Sequence, residues 1–290
     1  MDLHFYEAKG GNFGDDLNAW IWDSIIPGWR DWAADVTLIG VGTLLNEERL
    51  SQFREKRILV LGSGVGYGEI PKHPFPKAWD IRAVRGPRSA RLMNLESSKA
   101  AVDPAVLLSE IGMFQSLPKS QETVFVPHAS SDSRFDWNVI QGKSDIKIVL
   151  PSQDAKHVIS EIASAKLVIA ESMHAAIIAD AFRVPWVGVK ISDLFLRDKW
   201  MDWAESLELQ PEITDLLPTL RKLKYPSRTL QESPRIVRQA RHRLEQTFLP
   251  KAIASAAKRK PQLSDDTVLM SKKRKLQEIL SQASEDYSKP

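Results

Sequence analysis

The chain predicts an α/β fold of two Rossmann-like lobes with parallel sheets. Its length, a strand–helix alternation that runs twice along it, and glycine-bearing loops after apolar strands all point there. At 290 residues it exceeds what one hydrophobic core usually serves, so two lobes are expected. A hydrophobic content of 43% and a charged content of 27% belong to a globular chain that buries enough apolar surface to offset its conformational entropy. The chain has no cysteine, which excludes disulfides and thiolate metal sites and fits a reducing, cytoplasmic compartment. Met1–Glu7 lacks the basic-then-apolar pattern of a signal peptide, and no stretch nears the ~18 apolar residues of a membrane span.

The first series of elements runs as follows. Leu3–Glu7 predicts a strand and Asp16–Ile26 a helix ending before Pro27-Gly28. Val36–Val41, Arg57–Leu61 and Trp79–Val84 are β-branched or Leu-rich runs of buried-strand type. Gly86–Leu95 predicts a helix with Pro87 in its first turn, and Ala100–Asp103 a short last strand. After a loosely patterned stretch the alternation resumes. Strands are expected over Thr123–Val126, Ile146–Leu150, Leu167–Ala170 and Trp186–Val189, with helices near Gln153–Ala165 and Met173–Phe182. These series set an N-terminal lobe over 1–115 and a C-terminal lobe over 116–232, with the active site in the cleft between them.

Residues 233–290 predict a helical basic tail whose end is polar helix or disorder. In Arg235–Phe248, Ile236, Ala240, Leu244 and Phe248 recur at every fourth position and predict one apolar helix face. Residues 221–275 hold 16 Lys/Arg against 4 Asp/Glu. Such a segment suits an anionic surface such as lipid headgroups or nucleic acid, or simply a solvated helix face.

Four loops after strands carry the candidate chemistry. Asn12-Phe13-Gly14-Asp15-Asp16 offers close backbone approach at Gly14, and carboxylates that either cap the helix or accept sugar hydroxyls. Gly62-Ser63-Gly64-Val65-Gly66 is glycine-rich, but prolines rather than a helix follow it, which argues against a dinucleotide fingerprint. At Val84-Arg85-Gly86-Pro87-Arg88, the Arg85 guanidinium and a helix N-terminus converge where a small anion can sit, with Arg88 one turn on. At Glu171-Ser172-Met173-His174, His174 stands in the first turn of a small-residue helix, as a general acid or as a structural imidazole; His128 holds the analogous strand end. No metal-ligand spacing, nucleophile elbow or phosphate-binding P-loop is present, so no metal is expected.

Five segments in order resemble the polysaccharide pyruvyltransferase family, in its bacterial exopolysaccharide ketal-pyruvate type. They are Asn12–Asp16, Gly40–Leu45, Val84–Ser89, Asp103–Leu108 and Glu171–Ala181, and they cover roughly residues 1–195. The resemblance implies a fold like that of the GT-B glycosyltransferases, phosphoenolpyruvate as donor substrate and no cofactor. It implies a sugar acceptor, expected on a lipid-linked oligosaccharide, and no nucleic-acid partner. It also implies that Arg85 and His174 hold or protonate the donor. From the residues themselves we expect His128 or Asp15 as base, and Asn12, Gly14, Asp16, Arg88, Ser63 and Ser172 as donor or acceptor contacts. Many members carry Arg-Leu-His where this chain has Ser172-Met173-His174, so the cation must come from elsewhere, with Arg88, Lys190 and Arg197 as candidates. Two alternatives stay open: a nucleotide-sugar glycosyltransferase gripping ribose through Glu171 or Asp180, and a non-catalytic carbohydrate-binding relative.

Overall fold

A computed structural model of the chain describes residues 1–218 and 234–288. Strands β1 (Asp2–His4), β2 (Val36–Ile39), β3 (Arg57–Leu61) and β4 (Trp79–Ala83) form one sheet in that order, every neighbouring pair parallel. The apolar run Ile58–Leu61 needs cover on both faces, and all four of its residues are fully buried. Strands β5 (Thr123–Val126), β6 (Lys147–Ile148), β7 (Leu167–Ala170), β8 (Trp186–Lys190) and β9 (Ile213–Asp215) form a second parallel sheet, ordered β6-β5-β7-β8-β9. The architecture is therefore α/β with two parallel sheets.

The expected strand over Ala100–Asp103 shrinks to a single bridge between Val84 and Ala100. Its end is taken by a competing structure: the Asp103 carboxylate accepts from the Ala105 N–H and caps the 3-10 helix Pro104–Glu110. Pro104, which has no N–H, suits the first turn of that helix and not a ladder.

Helices α1 (Phe13–Asp16), α2 (Asn18–Ile25), α3 (Pro87–Leu92), α4 (Ala155–Ser164) and α5 (Met173–Ala181) follow their strands. Every residue of α5 is buried, as expected of a helix apolar all round. One apolar cluster includes Phe13 and Leu38 near the first sheet, Val126 and Ile177 near the second, and Trp200 between them. The lobes thus share a core.

Helix α6 (Arg197–Ser206) follows β8 of the second sheet yet packs against α3 of the first lobe. Asp202 makes the joint. One of its oxygens accepts from the Ser89 N–H at 2.8 Å, the other from Arg85 Nε at 3.0 Å and Ser89 Oγ at 2.6 Å. Around it, Arg88 pairs with Asp198 and Glu205, and Arg91 with Glu205.

The C-terminal region forms α7 (Pro234–Ala256) and α8 (Asp266–Tyr287); the tail boundary expected near 232 lies outside the described residues. From Arg241 on, the face of α7 that packs is rotated one position from the one expected, while the side chains of Ile236 and Ala240 lie outside the described residues. Glu245, Leu249, Ile253 and Ala256 are buried, whereas Leu244 and Phe248 are 42% and 51% exposed. The same four-residue spacing exists in both registers, and Glu245 decides between them because it pairs with Arg134 and Arg241. Helix α8 is ordered rather than loose, with Leu269, Leu276, Leu280 and Ala283 buried. It returns to the first lobe: Lys273 reaches Glu110 at 2.8 Å, Arg82 pairs with Asp286 at 2.8 Å, and Tyr287 donates to Asp80 at 2.9 Å. No helix among the described residues is long and apolar enough to cross a membrane.

Candidate active site

A cavity of about 770 Å³ opens among loops that follow strands of both sheets. Asn12, Asp15, Thr43, Arg49 and Tyr67 line it from the first lobe, His128, Ser172 and His174 from the second, and Lys199 from α6. The site falls at strand carboxyl ends, where open α/β sheets collect ligands. The Phe13 N–H donates to the Pro151 carbonyl at 2.8 Å and ties the two sets of loops together.

The cations come first. Lys199 is nearly buried and its Nζ donates to the Tyr67 hydroxyl at 3.1 Å. Burial, reinforced by Arg85, brings its ammonium down to about 8, with Asp15 acting in the opposite sense. It therefore carries its proton at neutral pH but can part with it. The Arg49 guanidinium stacks 4.4 Å over the Tyr6 ring at the rim.

Asp15 is the buried carboxylate facing them. Burial raises it to about 6, against the Asn12 side-chain hydrogen bond and the Lys199 charge, which lower it. Asn12 Nδ2 donates to Asp15 Oδ2 at 2.5 Å. Neighbouring Asp16 has the other role open to this pair: its Oδ2 accepts the Asn12 N–H at 2.8 Å and closes the start of α1.

Both imidazoles are neutral at pH 7. Burial, then the charges of Lys199 and Arg85, push His174 down to about 3. Burial, then Lys199, does the same to His128. The Ser130 N–H donates to His128 Nδ1 at 3.2 Å, so that nitrogen is bare and Nε2 carries the hydrogen. His128 is thereby a hydrogen-bond donor. The His174 ring rests on Gly14, where an added Cβ would stand 2.0 Å from Nδ1. Only glycine fits there.

Arg85 does not line the cavity. It is fully buried, with Nε on Asp202, one terminal nitrogen on Thr43 Oγ1 at 3.1 Å and the other on the Val65 carbonyl at 2.7 Å. Gly64 allows this, since a Cβ there would meet the guanidinium carbon at 2.3 Å. The anion that Arg85 and the start of α3 were expected to bind is supplied by the protein itself, as the Asp202 carboxylate. Ser63 is likewise internal: its hydroxyl donates to the Gly42 carbonyl and accepts from the Leu44 N–H.

The sequence profile of the family described as polysaccharide pyruvyl transferase matches residues 3–193. The chain belongs to this family. It is therefore a transferase enzyme. Succinoglycan biosynthesis protein ExoV of Rhizobium meliloti (strain 1021) is 35% identical over 99% of this chain and 100% of its own length.

In this polysaccharide pyruvyl transferase, the cavity brings together Asn12, Asp15, His128, Ser172 and His174 from the residues expected of the site. Gly14 serves it from beneath, whereas Arg85, Arg88, Ser63 and Asp16 serve the fold. None of Arg88, Lys190 and Arg197 lines the cavity in place of the absent arginine; Lys199 and Arg49 do. Lys199 escaped the sequence reading because it lies on a helix without strong apolar periodicity, beyond the motif-bearing segments. The available signal was local: Lys199 falls three residues before Asp202, hence on the same helix face.

Gly14→Ala is expected to displace the His174 ring and lower kcat by about 10²-fold while the protein stays folded. Steady-state kinetics beside a thermal unfolding curve checks this, and unchanged kcat would contradict the placement of His174 at the reacting centre.

Proposed function

We propose that this enzyme transfers the pyruvyl group of phosphoenolpyruvate to a terminal sugar of an exopolysaccharide repeat unit, forms a cyclic ketal and releases phosphate. The observation that carries the reading is the pairing of a buried ammonium, Lys199, with a buried carboxylate, Asp15, in one cavity with two neutral imidazoles. Cations suited to a small polyanion thus face groups able to take protons from hydroxyls. The two parallel sheets, with the cavity at their strand ends, suit a GT-B-like sugar-modifying enzyme.

The reaction needs one proton delivered and two removed. Lys199 and Arg49 neutralise the donor's phosphate and carboxylate. Lys199 gives its proton to the methylene carbon, a role that neutral His174 cannot fill from its resting state. A first sugar hydroxyl adds to the neighbouring carbon as His174 accepts its proton. Phosphate leaves with the electrons of its C–O bond, and a second hydroxyl closes the ketal while Asp15 accepts the remaining proton. His128, through its Nε2 hydrogen, donates to a donor oxygen.

A nucleotide-sugar reading lacks its ribose carboxylate. Glu171 is buried and accepts the N–H groups of His128, Ile191 and Ser192. Asp180 is buried and accepts from Trp186 Nε1 and the Ser264 N–H.

For the acceptor we propose a lipid-linked oligosaccharide at the cytoplasmic membrane face, with exposed Lys258, Arg259 and Lys260 toward anionic headgroups. Each such charge is worth ~1 kcal/mol near the surface. At low salt the protein is expected to sediment with anionic vesicles and not with neutral ones; equal sedimentation would contradict this contact.

Incubation with phosphoenolpyruvate and a synthetic or lipid-linked glycoside is expected to release phosphate and add a pyruvate ketal mass to the sugar. The rate should fall as pH drops through about 6, where Asp15 takes up a proton, and as it rises through about 8, where Lys199 loses one. Lys199→Ala should cost at least ~10²-fold. Release of a nucleoside diphosphate from a sugar nucleotide, with phosphoenolpyruvate inert, would overturn the reading.

A further inference from the structure

Asp103 and His174 belong to different lobes and meet beneath the cavity. Asp103 precedes the 3-10 helix Pro104–Glu110 and is fully buried; His174 lies in the first turn of α5. Asp103 Oδ2 and His174 Nε2 stand 3.9 Å apart, both are sealed from solvent, and neither has a hydrogen-bond partner among the described residues. Buried polar atoms are rarely left unpaired, and two facing each other call for a shared explanation. The capping role of Asp103 does not supply one, because it uses the other oxygen: Oδ1 accepts the Ala105 N–H at 3.0 Å. On the ring, Nδ1 lies over Gly14, and the His174 side chain lines the cavity.

We propose that Asp103 is a positioning residue for His174: as the two atoms close from 3.9 Å, Oδ2 accepts a hydrogen bond from Nε2–H, fixes the tautomer whose bare Nδ1 meets the acceptor hydroxyl, and then serves as counter-ion to the imidazolium. The catalytic half of this inference rests on the pyruvyl-transfer reading; the tautomer does not. In the step concerned, the hydroxyl oxygen bonds to the donor's central carbon as its O–H bond breaks. The proton goes to the Nδ1 lone pair, and Nε2 keeps its own hydrogen. The ring's positive charge then lies beside the Asp103 carboxylate until the proton passes on to the departing phosphate.

The surrounding charges make such a counter-ion necessary. Lys199 from α6, Arg85 from the turn before α3, and His128 from the second lobe all oppose a charge on His174. Asp103 is itself subject to Arg85, which favours its carboxylate, and to Asp202, which disfavours it; burial raises it to about 6. Above that pH it is the ionised acid that faces the ring at Nε2.

Asp103→Asn tests the pairing, because it keeps the volume and the capping oxygen while replacing Oδ2 by an amide that donates. With phosphoenolpyruvate and a glycoside, kcat is expected to fall about 10²-fold, with KM for the donor changed by less than about threefold. In ¹⁵N-imidazole spectra of the ligand-free protein, assigned with His174→Gln, the His174 hydrogen is expected on Nε2 in the wild type and on Nδ1 in Asp103→Asn. A wild-type His174 with its hydrogen on Nδ1 would overturn the pairing whatever reaction the enzyme performs, and whether or not the variant folds. An Nε2 hydrogen with kcat unchanged in the variant would overturn the catalytic half. Failure of the wild type to release phosphate would count against pyruvyl transfer and leave the tautomer to decide the pairing.

Discussion

The joint between Arg85 and Asp202 is the constraint on which the rest of this structure depends. Removing two charges from water costs several kcal/mol per ion, and attraction offsets that only when the remaining hydrogen-bonding capacity is filled. Here it is. Arg85 also donates to Thr43 and to the Val65 carbonyl, and Asp202 also accepts both polar groups of Ser89. Loss of either partner would leave the other charged and buried, at about 3–5 kcal/mol. The pair holds α6, which the second sheet supplies, against α3 of the first lobe. Three residues earlier on α6, Lys199 is carried into the cavity.

The electrostatics of the cavity follow from that placement. Lys199 depresses both histidines and opposes the burial that raises Asp15. A single ammonium, on a helix seated by a salt bridge it does not join, thus acts on all three groups, after burial as the largest cause. Burial brings the ammonium itself down to about 8, within the range that the proposed proton transfer calls for. In the proposed pyruvyl transfer, this lysine and Arg49, which both line the cavity, are the cations for the donor anion.

Much of the fold was legible in the residues, because parallel strands buried on both faces have a sequence signature of their own. Arg57–Leu61, Thr123–Val126 and Leu167–Ala170 begin and end where their apolar runs do. Legibility failed where two patterns competed for the same residues. At Asp103-Pro104 a capped 3-10 turn displaces a strand end, and on α7 two equally spaced apolar stripes were resolved by Glu245 and its arginine partners. In the site, a guanidinium and a helix start converge on a carboxylate at Arg85. What sequence order conceals is that the anion comes from Asp202, 117 positions away.

The most direct test replaces Arg85 and Asp202 together by apolar residues of similar size, Arg85→Met with Asp202→Leu, and measures phosphoenolpyruvate affinity by calorimetry alongside a folding check. Exchanging a buried pair for apolar packing is often near neutral in stability. The account predicts a folded protein that binds phosphoenolpyruvate within about tenfold of the wild type, because apolar side chains of similar size keep α6 seated on α3 and so keep Lys199 in the cavity. A folded double variant with no measurable binding would contradict it and show that the guanidinium itself receives the donor.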